Sequence, residues 1–249
     1  MWLPISCRLT LAAKLDRFES IIRRVGERVG WPQSWLQEFI AFQGDPRMTL
    51  EEFYVRFTLK RMAAEPTFAA VKTEADALAF YRGSDYMLWR NLVHRRHSAW
   101  RRVLVTMGAS RGNLVEVGCG IAPISAYCAV QKSEWDYWLH DLSSPHLAYG
   151  LWRVRRRANL GVLDVWPDEA QVVTLVDVLE HLHDPSAMAE RAVKILSPGG
   201  YVHWNFVGNP RQNDLDLATP EQRDTTVKYL YENLRLVWEQ DGYRVSQKA

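Results

Sequence analysis

The sequence predicts an α/β fold, a mostly parallel sheet with helices on both faces, preceded by a helical N-terminal region. Three observations carry that prediction. Residues 114–120 read L-V-E-V-G-C-G, an apolar run holding one acid, Glu116, that breaks into Gly118 and Gly120 just before a helix-like stretch at 121–131. This is a buried strand, a tight turn and a helix N-terminus, the layout of a nucleotide-type cofactor site. Next, short apolar runs alternate with helical segments through the following residues, as in successive β-α units. Last, the chain closes on two strand-like runs, 234–240 and 243–248, joined by Asp241-Gly242, a strong two-residue hairpin signal.

The elements follow in order. Residues 9–29 carry Leu11, Leu15, Phe18, Ile22, Val25 and Val29 at helical spacing, and Gly30-Trp31-Pro32 breaks the pattern. A short helix is expected over 34–42, then a turn at Gly44-Asp45-Pro46. Thr49, with Glu52 three residues on, forms a capping-box signal for a helix to about Ala64, before Pro66. Two more helices are expected over 73–81 and 85–107. The division predicted is 1–108 as a helical cap and acceptor-binding region, and 109–249 as the cofactor-binding catalytic domain. In the second part, strands are read at 114–117, 136–141, 162–165, 172–176 and 201–207. Helices are read from Asp184-Pro185 through Leu196 and over 220–233. A Ser197-Pro198-Gly199-Gly200 turn separates the fourth helical unit from the fifth strand.

The glycine turn lacks the third glycine of the dehydrogenase fingerprint, since Pro123 stands there, and it has no phosphate-binding lysine. It closely resembles motif I of the class I S-adenosylmethionine-dependent methyltransferases, E-x-G-x-G-x-G. Glu116, Gly118 and Gly120 match, and Ala122 replaces the last glycine. Residues 172–185, V-V-T-L-V-D-V-L-E-H-L-H-D-P, resemble the family's D-V-L-E-H-L-x-D-P motif after the fourth strand, and Ser197–Gly200 its k-P-G-G turn. The resemblance spans about 111–249. It implies a Rossmann-like seven-stranded sheet of six parallel strands with the last strand antiparallel. It also implies S-adenosyl-L-methionine as cofactor and S-adenosyl-L-homocysteine as product.

The site residues it implies are Glu116, Gly118, Cys119 and Gly120 in the turn, Asp141 and Leu142 at the ribose, Asp164 and Val165 at the adenine, and Asp177 and Val178 after the fourth strand. Asp141 has two readings, a ribose ligand or a cap for the helix beginning near Ser143, Ser144 and Pro145. Tyr86 and Arg90 share a helix face and could meet the methionine carboxylate, with Tyr81 as the alternative tyrosine, or they could form a packing face. Cys119 reads as a small buried filler rather than a nucleophile.

For catalysis, His183 is the first candidate general base, and His181 belongs to the pocket wall. No metal is expected. The D-x-x-E-H set of Asp177, Glu180 and His181 is the alternative, by analogy with family members that hold a divalent ion with E-x-x-E-H. The expected acceptor is an O or N nucleophile of a small metabolite. RNA and a non-catalytic cofactor-binding role are the alternatives. Two basic clusters, His94-Arg95-Arg96-His97 with Arg101-Arg102, and Arg153 with Arg155-Arg156-Arg157, could meet nucleic acid. The net charge of the 249 residues is only +2. Residues 1–108 hold 17 Lys and Arg against 11 Asp and Glu, whereas 109–249 hold 14 against 18. No membrane span or convincing signal peptide is read, and Cys7, Cys119 and Cys128 have no metal spacing, so a cytoplasmic protein is expected. The sequence does not specify an oligomeric state.

Overall fold

The computed structural model describes residues 4–15, 34–71, 73–93, 99–108, 111–161, 165–206 and 217–249. Helix α1 covers the described residues 5–15. Then come α2 (Ser34–Gln43), α3 (Leu50–Ala69), α4 (Glu74–Gly83), α5 (Tyr86–Val93) and α6 (Trp100–Thr106). The sheet region follows as β1 (Asn113–Val117), α7 (Pro123–Gln131), β2 (Asp136–His140), α8 (Pro145–Arg155), β3 (Asn159–Leu160), β4 (Ala170–Leu175), a 3-10 turn (Leu179–His181), α9 (Pro185–Ile195), β5 (Leu196–Asn205), α10 (Pro220–Asn233), β6 (Arg235–Gln240) and β7 (Tyr243–Gln247).

The seven strands lie in the order β3-β2-β1-β4-β5-β7-β6. β7 runs antiparallel to both neighbours, and the other six strands are parallel to one another. The order reverses between β1 and β4, so the carboxyl ends of those two strands border the switch point where ligands bind in open sheets of this kind. The strands are apolar because helices cover both faces. One face packs α1, α6, α7 and α8 through Leu9, Val103, Cys128, Leu147 and Val154. The other packs α9 and α10 through Ala189, Ala192 and Leu230. A third core lies among α2, α3 and α5, where Trp35, Phe39, Phe53 and Trp89 also enclose Ile121 and Tyr149.

Several predicted boundaries move. The third strand, expected at 162–165, is Asn159–Leu160; Val165 sits in a bend and 162–164 lie outside the described residues. The expected helix over 85–107 is described as α5 and α6, with 94–98 outside the described residues. Most of the 9–29 helix and its Gly30-Trp31-Pro32 break lie outside them too. α3 runs past Pro66, which falls in its last turn. Pairing of β5 begins before Ser197–Gly200, because Ala170 pairs with Leu196 and Val172 with Tyr201, so the turn becomes a bulge inside the strand pairing. The hairpin forms as expected, with Asp241 at φ 54° and Gly242 at φ 78°. No helix among the described residues is long and apolar enough to cross a membrane.

A buried polar chain ties α6 to β5 and β7. The Thr106 hydroxyl donates to the Val103 carbonyl at 2.8 Å, so the His203 Nε2, also 2.8 Å away, must donate to Thr106. His203 Nδ1 then accepts from the Tyr243 hydroxyl at 2.8 Å. This arrangement needs a neutral imidazole, and burial, assisted by the Arg102 charge, pushes its pKa down from 6.5 to about 3. Below pH 6.5 the unfolded chain takes up a proton that the folded chain refuses, so acid favours unfolding. The stability contributed by neutral His203 is therefore present above pH 6.5 and is lost as pH falls toward 3. In urea titrations across this window, the advantage of the wild type over His203→Gln is expected to shrink as pH is lowered.

Candidate active site

The site grows from the end of β1. Gly118 takes φ 61°, Gly120 φ 49° and Ala122 φ 49°. Three left-handed residues in five carry the chain from strand to helix, and glycine enters that region without the cost other residues bear. This delays α7 to Pro123, with Ala122 as its cap residue and Pro123 in the first turn. A Cβ on Gly118 would lie 2.3 Å from Val178 Cγ2, so the ends of β1 and β4 approach closely only because position 118 is bare. Gly150 of α8 plays the same part on the other side, since its Cβ would fall 2.8 Å from the Gly120 carbonyl.

Glu116 lies at the end of β1, directly before the glycine turn. Its two oxygens accept the backbone N–H groups of Ile124 (3.2 Å) and Ser125 (2.7 Å) in the first turn of α7, and the side chain is buried. It ties the end of β1 to the first turn of α7. Burial pushes its carboxyl up to about 7, against the two backbone donors and the nearby Arg153 charge, which favour the ionised form. Cys119 is buried, and burial with Asp141 and Glu116 nearby raises its thiol well above the usual range, which disfavours the thiolate.

Asp141 follows β2 and faces the turn. Its Oδ2 accepts the Gly120 N–H at 2.6 Å and its Oδ1 the Leu142 N–H at 2.6 Å. The cap of α8 is Ser144, whose hydroxyl accepts the Leu147 N–H at 3.3 Å. The capping reading of Asp141 is thereby corrected. A carboxylate offers about four acceptor positions, and two of Asp141's are taken, which leaves capacity for ligand hydroxyls. His146 Nε2 lies 3.7 Å from its Oδ1. Asp177 adopts φ 53° after β4, its N–H donates to Asn205 Oδ1 at 2.7 Å, and Asn205 Nδ2 donates back to its carboxylate.

Gly118, Cys119, Gly120, Asp141, Leu142, Asp177 and Val178 thus gather at the carboxyl edge of the sheet. Val165 does not, being 60% exposed on its bend, and Asp164 lies outside the described residues. Beside Val165, Trp166 packs edge-on against His140 at the end of β2. Tyr86 stacks on Phe57 within the cap and lines a groove of about 600 Å³ between α3 and α4. Arg90 shares α5 with it and is half-buried. Asn91 of α5 also reaches the glycine turn, its Nδ2 lying 3.1 Å from where a Cβ on Gly120 would stand. Asn91 and His146 were not singled out from sequence; neither belongs to a motif, and only the crossing of α5 and α8 over the turn brings them there.

His181 is half-buried, its ring centroid 6.4 Å from that of Tyr81 on α4. His183 is exposed, and its carbonyl accepts from Gln222 of α10 at 2.8 Å. The alternative metal set does not converge. Asp177 is bound to Asn205, Glu180 is buried, His181 faces Tyr81, and among the described residues no group of three or more His, Cys, Asp or Glu could hold an ion. The basic cluster at the end of α8 is engaged within the protein in part, while Arg155 is exposed. Arg153 and Arg157 pair with Glu38, and Arg156 lies over the Trp152 ring.

A family model described as a methyltransferase domain matches residues 92–247. The chain belongs to the class I S-adenosylmethionine-dependent methyltransferases. The match begins at Leu92, within α5, so most of the methyltransferase's helical cap lies outside it. Magnesium protoporphyrin IX methyltransferase from Synechocystis is 12% identical, with 73% of this chain and 99% of that one covered at a TM-score of 0.51. A methyltransferase from Aquifex aeolicus is 12% identical over 72% of this chain and 100% of its own, at 0.46. An O-methyltransferase family protein from Burkholderia thailandensis is 13% identical over 75% and 63%, at 0.47. No curated protein matches the chain in sequence.

Two substitutions test the turn. Gly118→Ala should cost about 1–3 kcal/mol, because the added methyl meets Val178 and the left-handed φ strains alanine. Glu116→Ala strands two buried N–H groups and should cost about 3 kcal/mol. Denaturant unfolding measures both.

Proposed function

We propose that this methyltransferase transfers a methyl group to an O or N nucleophile of a small metabolite. The observation that carries the reading is the clustering of Gly118, Gly120 and Asp141 at the switch point of the sheet, beneath the helical cap. Bound S-adenosylmethionine would supply an electrophilic methyl group for direct displacement. Asp141 would hold the ribose hydroxyls with its remaining lone pairs, and the bare glycines would let the ligand lie against the backbone. Asp177 and Val178 would form the wall at the end of β4, and Asn91 of the cap would face the turn from above.

The acceptor must meet that methyl group in a site closed to water. His181, set between the end of β4 and Tyr81 of α4, is the better-placed base, and it replaces His183, which is exposed and lies beside α10. A small acceptor is favoured over RNA because part of the described basic surface is tied up within the protein. Arg153 and Arg157 bind Glu38, and Arg101 lies over Trp100. The cap, residues 1–108, is proposed as the acceptor-binding region.

Transfer of labelled methyl from S-adenosylmethionine to panels of small phenols, carboxylic acids and amines, with RNA alongside, tests the reading. Labelling of a small-molecule class supports it, and labelling of RNA alone contradicts it. With an accepted substrate, His181→Ala should lower kcat by about 100-fold or more, while His183→Ala should stay within about twofold. The reverse order would restore His183.

A further inference from the structure

The glycine turn is gripped from the cap as well as from the sheet. Ile121, directly after Gly120, is 4% exposed, and its side chain belongs to the aromatic core of the cap with Trp35, Phe39 and Trp89. Its carbonyl accepts the Arg153 guanidinium at 2.8 Å. Arg153, on α8, is itself 4% exposed, and its Nε donates to Glu38 Oε2 of α2 at 3.0 Å. The second oxygen of Glu38 takes Arg157, which also donates to the Ala126 carbonyl of α7 at 3.0 Å. One cap carboxylate therefore orients two arginines, of which Arg153 holds a backbone carbonyl in the glycine turn and Arg157 one in α7.

We infer that Glu38 and Arg153 are a positioning pair for the cofactor turn, so that docking of cap helix α2 and binding of the adenosyl cofactor are coupled. The inference rests on the reading that this turn binds S-adenosylmethionine. The physical reason is the burial of the guanidinium. Its planar fork matches a carboxylate on one edge and a carbonyl on another, and a buried arginine that loses its carboxylate is left uncompensated. Without Glu38, Arg153 turns toward other acceptors and releases Ile121. The residues in left-handed conformation on either side of Ile121, Gly120 and Ala122, then lose the contact that holds them. Coupling is reciprocal: what the pair gives to cofactor affinity, the cofactor returns to α2 docking. Neither residue needs to touch the ligand.

The test uses the full chain with S-adenosylhomocysteine as probe. Affinity is measured by calorimetry, amide hydrogen exchange is followed in residues 34–43, and thermal melting reports the fold. Glu38→Gln and Arg153→Met should each weaken binding by about tenfold or more. The double variant should be no weaker than the worse single one, and Arg153→Lys should recover part of the loss. The probe should slow exchange in α2 of the wild type and leave it unchanged in the two variants. Folded variants that bind within about twofold of the wild type, with only a lowered melting temperature, would show a purely structural pair and overturn the inference. If Arg153→Met does not fold, Glu38→Gln decides alone. A wild type that does not bind the probe overturns the cofactor reading, and the inference with it.

Discussion

A buried carboxylate at the end of the first strand governs this molecule. Glu116 is a carboxyl buried within the sheet, and its presence there is tolerable because the N-terminus of α7 supplies two N–H donors to it. The bond fixes where α7 begins. That, in turn, fixes the left-handed path from Gly118 to Ala122 and presents the Gly120 N–H to Asp141. The contact between Gly118 and Val178 closes the other border of the switch point. Strand, turn and helix are thus held by polar and steric constraints that leave little slack, as a site built for a large ligand requires.

The helical cap is bound to this frame through chemistry of its own. Phe39 contacts Trp89 and Tyr149 edge-on at 5.0 and 5.7 Å, and Phe53 stacks on Trp89 at 4.8 Å, so three cap helices and α8 share one aromatic core. Edge-on contacts of this kind define relative orientation, not merely proximity. The Arg153–Glu38 pair adds a polar tie on the same side of the turn. Arg153 and Arg157, which read from sequence as part of a basic cluster, are therefore internal fastenings.

The sheet and its cofactor edge were legible because their residues must satisfy backbone requirements that leave a sequence trace. Glycines stand where the turn needs positive φ, Asp241-Gly242 makes the hairpin, and a run such as 172–176 has to be apolar to lie buried. Asp141 could be placed at the edge but not assigned between ligand and cap, because that depended on Ser144 taking the cap. Glu116 is legible as a motif residue, but its partners are backbone groups of the next helix and carry no sequence signal. The third strand was misplaced because two paired residues hardly constrain composition. The positions of Asn91 and His146 and the contacts of Arg153 were out of reach because each reaches across elements far apart in the chain. The two histidines after β4 differ by two positions, and only the neighbouring Tyr81 and Gln222 separate their surroundings.

The central claim is that the edge formed by Gly118, Gly120 and Asp141 binds the adenosyl cofactor. Calorimetric titration of S-adenosylmethionine and S-adenosylhomocysteine into the wild type and Asp141→Ala tests it most directly. The account predicts saturable one-to-one binding of both compounds to the wild type, weakened by about tenfold or more when the carboxylate is removed. Binding of equal strength to both proteins would contradict the ribose assignment, and absence of binding to well-folded wild type would contradict the site itself.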